Sequence, residues 1–154
     1  MRFTGSKIYR LFSILAVIAV MVIIFILSAE NGEESAETSG WVIEFLSLFF
    51  KGDLAQDVIR TFAHFSEYAV LGLLMYNVIY SFKVKLAPVV SSILSLIYAL
   101  SDEIHQYFVP ERACQLSDLA VDFGGIIVGT AVIFLLFGLI EKTYLKKKKE
   151  KHYD

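Results

Sequence analysis

The sequence predicts an all-α, polytopic membrane protein with four transmembrane helices and both termini on the cytoplasmic side. Three observations carry that prediction. The chain is 56% hydrophobic and only 19% charged over 154 residues, too apolar for an ordinary soluble domain. Four windows, about residues 8–28, 65–82, 86–107 and 116–140, approach the roughly 20 apolar residues a bilayer core requires. The basic residues also divide by side. Arg2, Lys7 and Arg10 precede the first window, Lys83 and Lys85 lie between the second and third, and Lys142, Lys146–Lys149 and Lys151 follow the fourth. Eleven of the 14 basic residues thus fall on one side of a four-span arrangement, which the positive-inside rule makes cytoplasmic. Of the 16 acidic residues only Glu141, Glu150 and Asp154 share that side.

Taken in order, residues 11–27 carry no charge and form the clearest span. A basic start, an apolar run and the Ser28-Ala29 pair also fit a cleaved signal peptide, but the run is long for one, which favours retention. Residues 29–60 then form an outer loop. Its opening, Ala29 to Ser35, is acidic and turn-forming. Residues 41–50 are apolar around Glu44, too short to span and led by Trp41. They read as a short helix at the outer interface, either a simple anchor or a lid. Gly52-Asp53 breaks it ahead of a short helix leading to Arg60.

The second and third windows are joined by a short basic turn. Pro110, lacking an amide donor and restricting the residue before it, is expected to stop the third helix. A tight outer turn over residues 108–115 follows. The fourth window runs into a basic cytoplasmic tail, residues 141–154, which reads as an orientation signal touching anionic lipid; a nucleic-acid role is not expected. The lone Cys114 has no internal partner for a disulfide. No repeat or second domain is visible, so residues 1–154 read as one membrane domain.

Against this apolar background, His64, Glu67, Asp102, Glu103, His105, Asp118 and Asp122 stand at or just inside one end of three windows. A charged group in hydrocarbon costs roughly 2.5–3.5 kcal/mol even on lenient insertion scales, so such groups are functional candidates. At about 100° per residue, Arg60, His64, Glu67 and Tyr68 share one face of the second helix. Ser91, Ser95, Tyr98, Asp102, His105 and Gln106 stripe the third, with Glu103 off the stripe and able to reach a second neighbour. Asp118, Asp122, Gly125 and Gly129 align on the fourth, where the two glycines form a small-xxx-small pair for close helix approach. Three polar faces are therefore expected to meet in an acidic, histidine-containing pocket on the extracytoplasmic side.

The stretches that carry this pattern are Arg60-Thr61-Phe62-Ala63-His64-Phe65-Ser66-Glu67-Tyr68, Ser101 through Arg112, and Asp118-Leu119-Ala120-Val121-Asp122-Phe123-Gly124. Together with Ser28-Ala29-Glu30-Asn31-Gly32, they resemble the VanZ-like membrane proteins, over most of residues 28–129. The resemblance implies a four-span protein of the bacterial cytoplasmic (inner) membrane and a cell-envelope setting. That family's founding member is an accessory factor in low-level resistance to teicoplanin, a lipoglycopeptide directed at wall precursors. The family commonly has asparagine at the position of Asp122 and glycine at that of Glu111, so this pocket carries an added acid.

Four uses of the pocket follow from its residue types. As a binding site it would hold a membrane lipid, a lipid-linked wall-precursor head group or a lipoglycopeptide, with Arg60, Tyr68, Gln106 and Arg112 as ligand contacts. As an enzyme it would use the seven acids and histidines as acid–base groups, or hold a divalent metal on His64, His105 and Glu67 or Asp102, although no spacing matches a metal signature. As an ion path it would relay protons through Asp102, His105 and Asp118. As pure architecture it would pair Arg60 with Glu67 and His105 with Asp102 to lock the helices.

Overall fold

In a computed structural model the described residues are 6–30, 53–110, 112 and 115–150, and they form four helices: α1 (Lys7–Ala29), α2 (Asp53–Ser81), α3 (Ala87–Gln106) and α4 (Leu116–Glu150). No strand occurs among the described residues. The expected interfacial helix at 41–50 lies outside them, as do Glu111, Cys114 and the last residues of the tail.

Local chemistry sets each boundary. Ser6 caps α1, its hydroxyl accepting from the Tyr9 N–H at 3.1 Å. No glycine or proline interrupts Asp53 to Leu71, so the short helix expected before Arg60 and the second span merge into one helix of 29 residues. The turn to α3 places Lys83 in the left-handed region, φ 59°, and Pro88 sits in the first turn of α3, where its missing donor costs nothing. α3 ends at Gln106, earlier than Pro110 alone would require. The N–H groups of Phe108 and Val109 turn back onto the carbonyls of His105 and Gln106 and close the helix first. α4 continues past the expected limit of its span through Lys146 to Glu150.

Side-chain contacts fix the helix directions. Arg60 meets Asp118, His64 meets Asp122 and Thr130 meets the Gly72 carbonyl, each pair 58 residues apart. A constant offset means that α2 and α4 run parallel and in register. α1 runs opposite to α2, because Tyr9 and Ser13 reach Asn77 while Arg10 reaches Ser81. The four helices therefore alternate up and down. Lys7, Arg10, Lys83, Lys85, Lys142 and Lys146 gather at one end together with Glu141, and Glu67, Asp102, Glu103, Asp118 and Asp122 gather towards the other.

Among the described residues the parallel pair makes the most extensive helix–helix packing. A Cβ on Gly72 would stand 2.7 Å from the Ile126 carbonyl oxygen. One on Gly125 or Gly129 would collide with the carbonyls of Phe65 or Ala69. Only glycine permits this backbone approach, as the small-xxx-small spacing predicts.

The bundle is apolar outside, and inside it buries polar groups beside an apolar core that includes Val17, Ile24, Leu71, Ala99 and Ile126. Ile18, Val22, Phe25, Ile93, Ile97, Leu135 and Leu139 are exposed, whereas Ser13, Ser91, Ser95, Asp102, Gln106, Asp122 and Thr130 are buried. In water that arrangement would waste the hydrophobic effect; in lipid it satisfies the outer surface and leaves polar bonds and close packing to join the helices. Three helices, Lys7–Ala29, Ala87–Gln106 and the Leu116–Lys146 portion of α4, are long and apolar enough to cross a membrane. α2 is long enough, but Glu67, Asn77 and the tyrosines at 68, 76 and 80 dilute it.

Candidate functional site

Two helical repeats set the site. Arg60 and His64 stand one turn apart on α2, Asp118 and Asp122 one turn apart on α4, and the glycine contact holds the helices in register. The result is two stacked cross-helix pairs. Arg60 Nη2 donates to Asp118 Oδ2 at 2.6 Å, and the His64 Nδ1 to Asp122 Oδ1 distance is 3.0 Å. The first pair is partly open, with Arg60 33% exposed, while His64 and Asp122 are buried. Asp118 lies in the first turn of α4, where the helix dipole favours its charge.

One turn further along α2, Tyr68 is fully buried and donates to Asp102 Oδ2 at 3.0 Å. Gln106, one turn on from Asp102 along α3, donates to the same oxygen at 3.2 Å. Asp102 Oδ1 and Gln106 Oε1 are buried and have no hydrogen-bond partner. Glu103 turns the other way, and its Oε2 accepts from the Gln115 N–H at 3.0 Å, at the entry to α4. Its Oε1 and Asp122 Oδ2 are again buried without a partner. Ligand atoms of His64, Glu103 and Asp122 lie within 4.8 Å of one another.

Arg112 ties this end to α1. Its Nε donates to the Glu30 carbonyl at 2.8 Å and its Nη2 to the Leu27 carbonyl at 3.3 Å, capping the C-terminus of α1. Burial, and next the neighbouring Arg60 charge, push its pKa below the ordinary arginine value. Neither basic group hydrogen-bonds Glu103 or Asp122: Arg60 Nη2 pairs with Asp118 while its Nε is buried without a partner, and Arg112 bonds backbone.

The structure therefore brings together His64, Asp102, Glu103, Asp118 and Asp122 with Arg60, Tyr68 and Gln106. It does not bring His105 to them. That ring packs against Phe25 of α1, centroids 4.5 Å apart, because Asp102, Glu103 and His105 leave α3 in three directions. Arg60 pairs with Asp118 instead of Glu67, and Asp102 is held by Tyr68 and Gln106 instead of His105. The triad of candidate ligands keeps His64 and replaces Glu67, Asp102 and His105 with Glu103 and Asp122. Glu67 is partly buried beside this group. The Gln115 N–H is invisible to side-chain reasoning because a backbone donor carries no residue-type signal. The cross-helix pairs do leave a signal: a base and a histidine four apart, matched by two aspartates four apart.

The model of the VanZ/LLP1 family matches residues 12–138, most of the chain and all of the site. No curated protein and no solved structure matches the chain.

Proposed function

The chain belongs to the VanZ/LLP1 family, and from that premise we propose that it is a four-span protein of the bacterial cytoplasmic membrane. In this reading both termini are cytoplasmic, and α2 spans alongside the parallel α4. The acidic end faces outward, where it binds the head group of a membrane lipid or lipid-linked wall precursor. Its cellular role is in the envelope, in resistance of the teicoplanin type.

The observation that carries the binding reading is the pair of unpartnered acceptors, Asp102 Oδ1 and Gln106 Oε1, with Tyr68 holding Asp102 and Gln106 donating to it in turn. Buried polar atoms are ordinarily bonded, and two fixed acceptors at a helix end call for a ligand bringing O–H or N–H donors. Sugar hydroxyls, amides and ammonium groups of envelope head groups have that chemistry. At about 1.5 Å per residue, α2 is roughly 43 Å long against a hydrocarbon core of about 30 Å. Its Arg60 turn can thus stand at head-group level, where guanidinium meets phosphate.

The test is teicoplanin susceptibility of a Gram-positive host carrying wild-type protein, Asp102→Ala or His105→Ala at matched membrane levels. Protection by wild type and His105→Ala, lost in Asp102→Ala, is the expected result. Equal protection by all three overturns the site, and none by any overturns the teicoplanin role. The His64–Asp122 contact supports a second reading, an intramembrane acid–base enzyme, since a carboxylate that orients an imidazole is the usual partner of a general base. Turnover of a lipid-linked substrate, abolished by His64→Gln, would select it.

A further inference from the structure

We propose that His64, Glu103 and Asp122 form a binding site for one divalent first-row metal ion, with zinc the best fit to the donor set. The inference stands apart from the head-group reading, because ion binding is measured with no lipid ligand present.

The geometry begins with the two carboxylates. Each has one oxygen held and one free: Glu103 Oε2 is fixed by the Gln115 N–H while Oε1 has no partner, and Asp122 Oδ1 faces His64 while Oδ2 has no partner. Glu103 is 2% exposed, Asp122 0% and His64 6%, so water does not satisfy the free oxygens. A ligand atom of each residue lies within 4.8 Å of the other two. Two donors bound to one zinc ion stand roughly 3–3.5 Å apart, given metal–ligand lengths near 2.0–2.2 Å. The 3.0 Å separation of His64 Nδ1 and Asp122 Oδ1 already has that span, and the third donor comes from Glu103, one ligand atom of which lies within 4.8 Å of one from each of the other two.

Charge points the same way. Two buried carboxylates this close repel each other, and burying them without compensation costs several kcal/mol per ion. Neither arginine at this end pairs with them: Arg60 Nη2 donates to Asp118, and Arg112 donates to the carbonyls of Leu27 and Glu30. One dication neutralises both. An imidazole among the donors selects zinc and its neighbours over magnesium or calcium, which prefer all-oxygen shells. Three protein donors leave a tetrahedral position open, the pattern of zinc sites that accept an exchangeable ligand.

The experiment uses the full chain in detergent, stripped with chelator and titrated with zinc and with cobalt(II). One ion per chain is expected for wild type and for the double variant His105→Ala/His152→Ala, which removes every histidine except His64. Glu103→Gln and Asp122→Asn should each weaken binding by more than roughly tenfold, the smallest loss that even an outer-shell partner typically causes. No stoichiometric ion in wild type, binding lost in the double histidine variant, or equal binding by both carboxylate variants would overturn the site. Should the carboxylate variants fail to fold, the cobalt spectrum of wild type decides. Nitrogen and oxygen ligation without a thiolate charge-transfer band is expected, and a thiolate band would move the ion to Cys114.

Discussion

At the end where α1 begins and α2 stops, Tyr9 donates to Asn77, Asn77 donates to Ser13 at 3.1 Å, and Arg10 closes on the Ser81 carbonyl at 3.1 Å while stacking over Phe82. At the opposite end, Asp102, Glu103, Gln106 and Asp122 each keep a buried acceptor oxygen without a partner. Both ends are polar islands in one bundle, the first between α1 and α2 and the second among α2, α3 and α4, and both are built from side chains spaced one or two turns apart. The first consumes its hydrogen-bonding capacity; the second holds more than it uses. A network that exists only to join helices has no reason to leave acceptors empty, since each unmet group costs about 1–3 kcal/mol. On the proposed function, the contrast sets architecture at one end against a ligand site at the other, and each end can be perturbed alone.

The largest effect should come from breaking what both ends share. Gly125→Leu places a side chain where the Phe65 carbonyl already stands, forcing α2 and α4 apart. Overpacking typically costs about 1–3 kcal/mol and sometimes more. The expected outcome is a steep loss of folded, detergent-extracted protein, with zinc binding and teicoplanin protection lost together. If Gly125→Leu extracts and melts like wild type, the register that aligns His64 with Asp122 does not rest on this contact.

Next in size is the closed end. Asn77→Leu removes the acceptor for Tyr9 and the donor to Ser13 at once. Interhelical hydrogen bonds in membranes are worth about 0.6 kcal/mol on average and up to roughly 2 kcal/mol, so a melting temperature lower by several degrees is expected. Zinc affinity and protection should be unchanged. Loss of zinc with normal melting would erase the distinction between the ends.

How far the sequence alone reaches differs between the ends in the same way. The acidic end is legible because charges in apolar runs are rare: His64, Asp102, Asp118 and Asp122 stand out from the residues around them in the chain. Tyr76, Asn77 and Tyr80 form no comparable pattern, and the Tyr9–Asn77–Ser13 chain joins neutral residues 68 and 64 positions apart. The α2–α4 approach is readable from Gly125 and Gly129, yet its complement at Gly72 is not, since one glycine has no periodicity. Partner choice is least legible. Arg60 has Glu67 on its own helix and Asp118 on another, and the parallel register of α2 with α4 decides between them. His105 shows the limit of helical-wheel logic: it shares a broad stripe with Asp102, yet the roughly 60° between them turns its ring onto Phe25 of α1.

Smaller still is the effect expected at the rim. Arg60 is one-third exposed, and solvent screens its pair with Asp118, so Arg60→Ala should cost about 0–1 kcal/mol of stability. Its consequence should instead be functional, as weaker protection with normal melting. The charge-reversed pair Arg60→Asp/Asp118→Arg sharpens the point. It should restore the melting temperature lost in either single variant while leaving protection impaired, because the cation proposed to face a head-group phosphate has moved to another helix. Recovery of both would assign the pair to architecture alone.

The most discriminating change is the one expected to cost no stability at all. Asp102→Asn preserves the shape of the side chain and leaves an oxygen to accept from Tyr68 and Gln106, while removing a buried charge that has no basic partner among the described residues. In a low-dielectric interior, neutralising an uncompensated carboxylate is favourable. A melting temperature equal to or above that of wild type is therefore expected, together with loss of protection on the head-group proposal, since the new amide places a donor where Asp102 Oδ1 is an unpartnered acceptor. Asn77 at the closed end should behave in the opposite sense, losing stability and keeping function. A drop in melting temperature for Asp102→Asn comparable to that for Asn77→Leu would mean that the acidic end, too, is built to hold helices together, and its empty acceptors would need another explanation than a ligand.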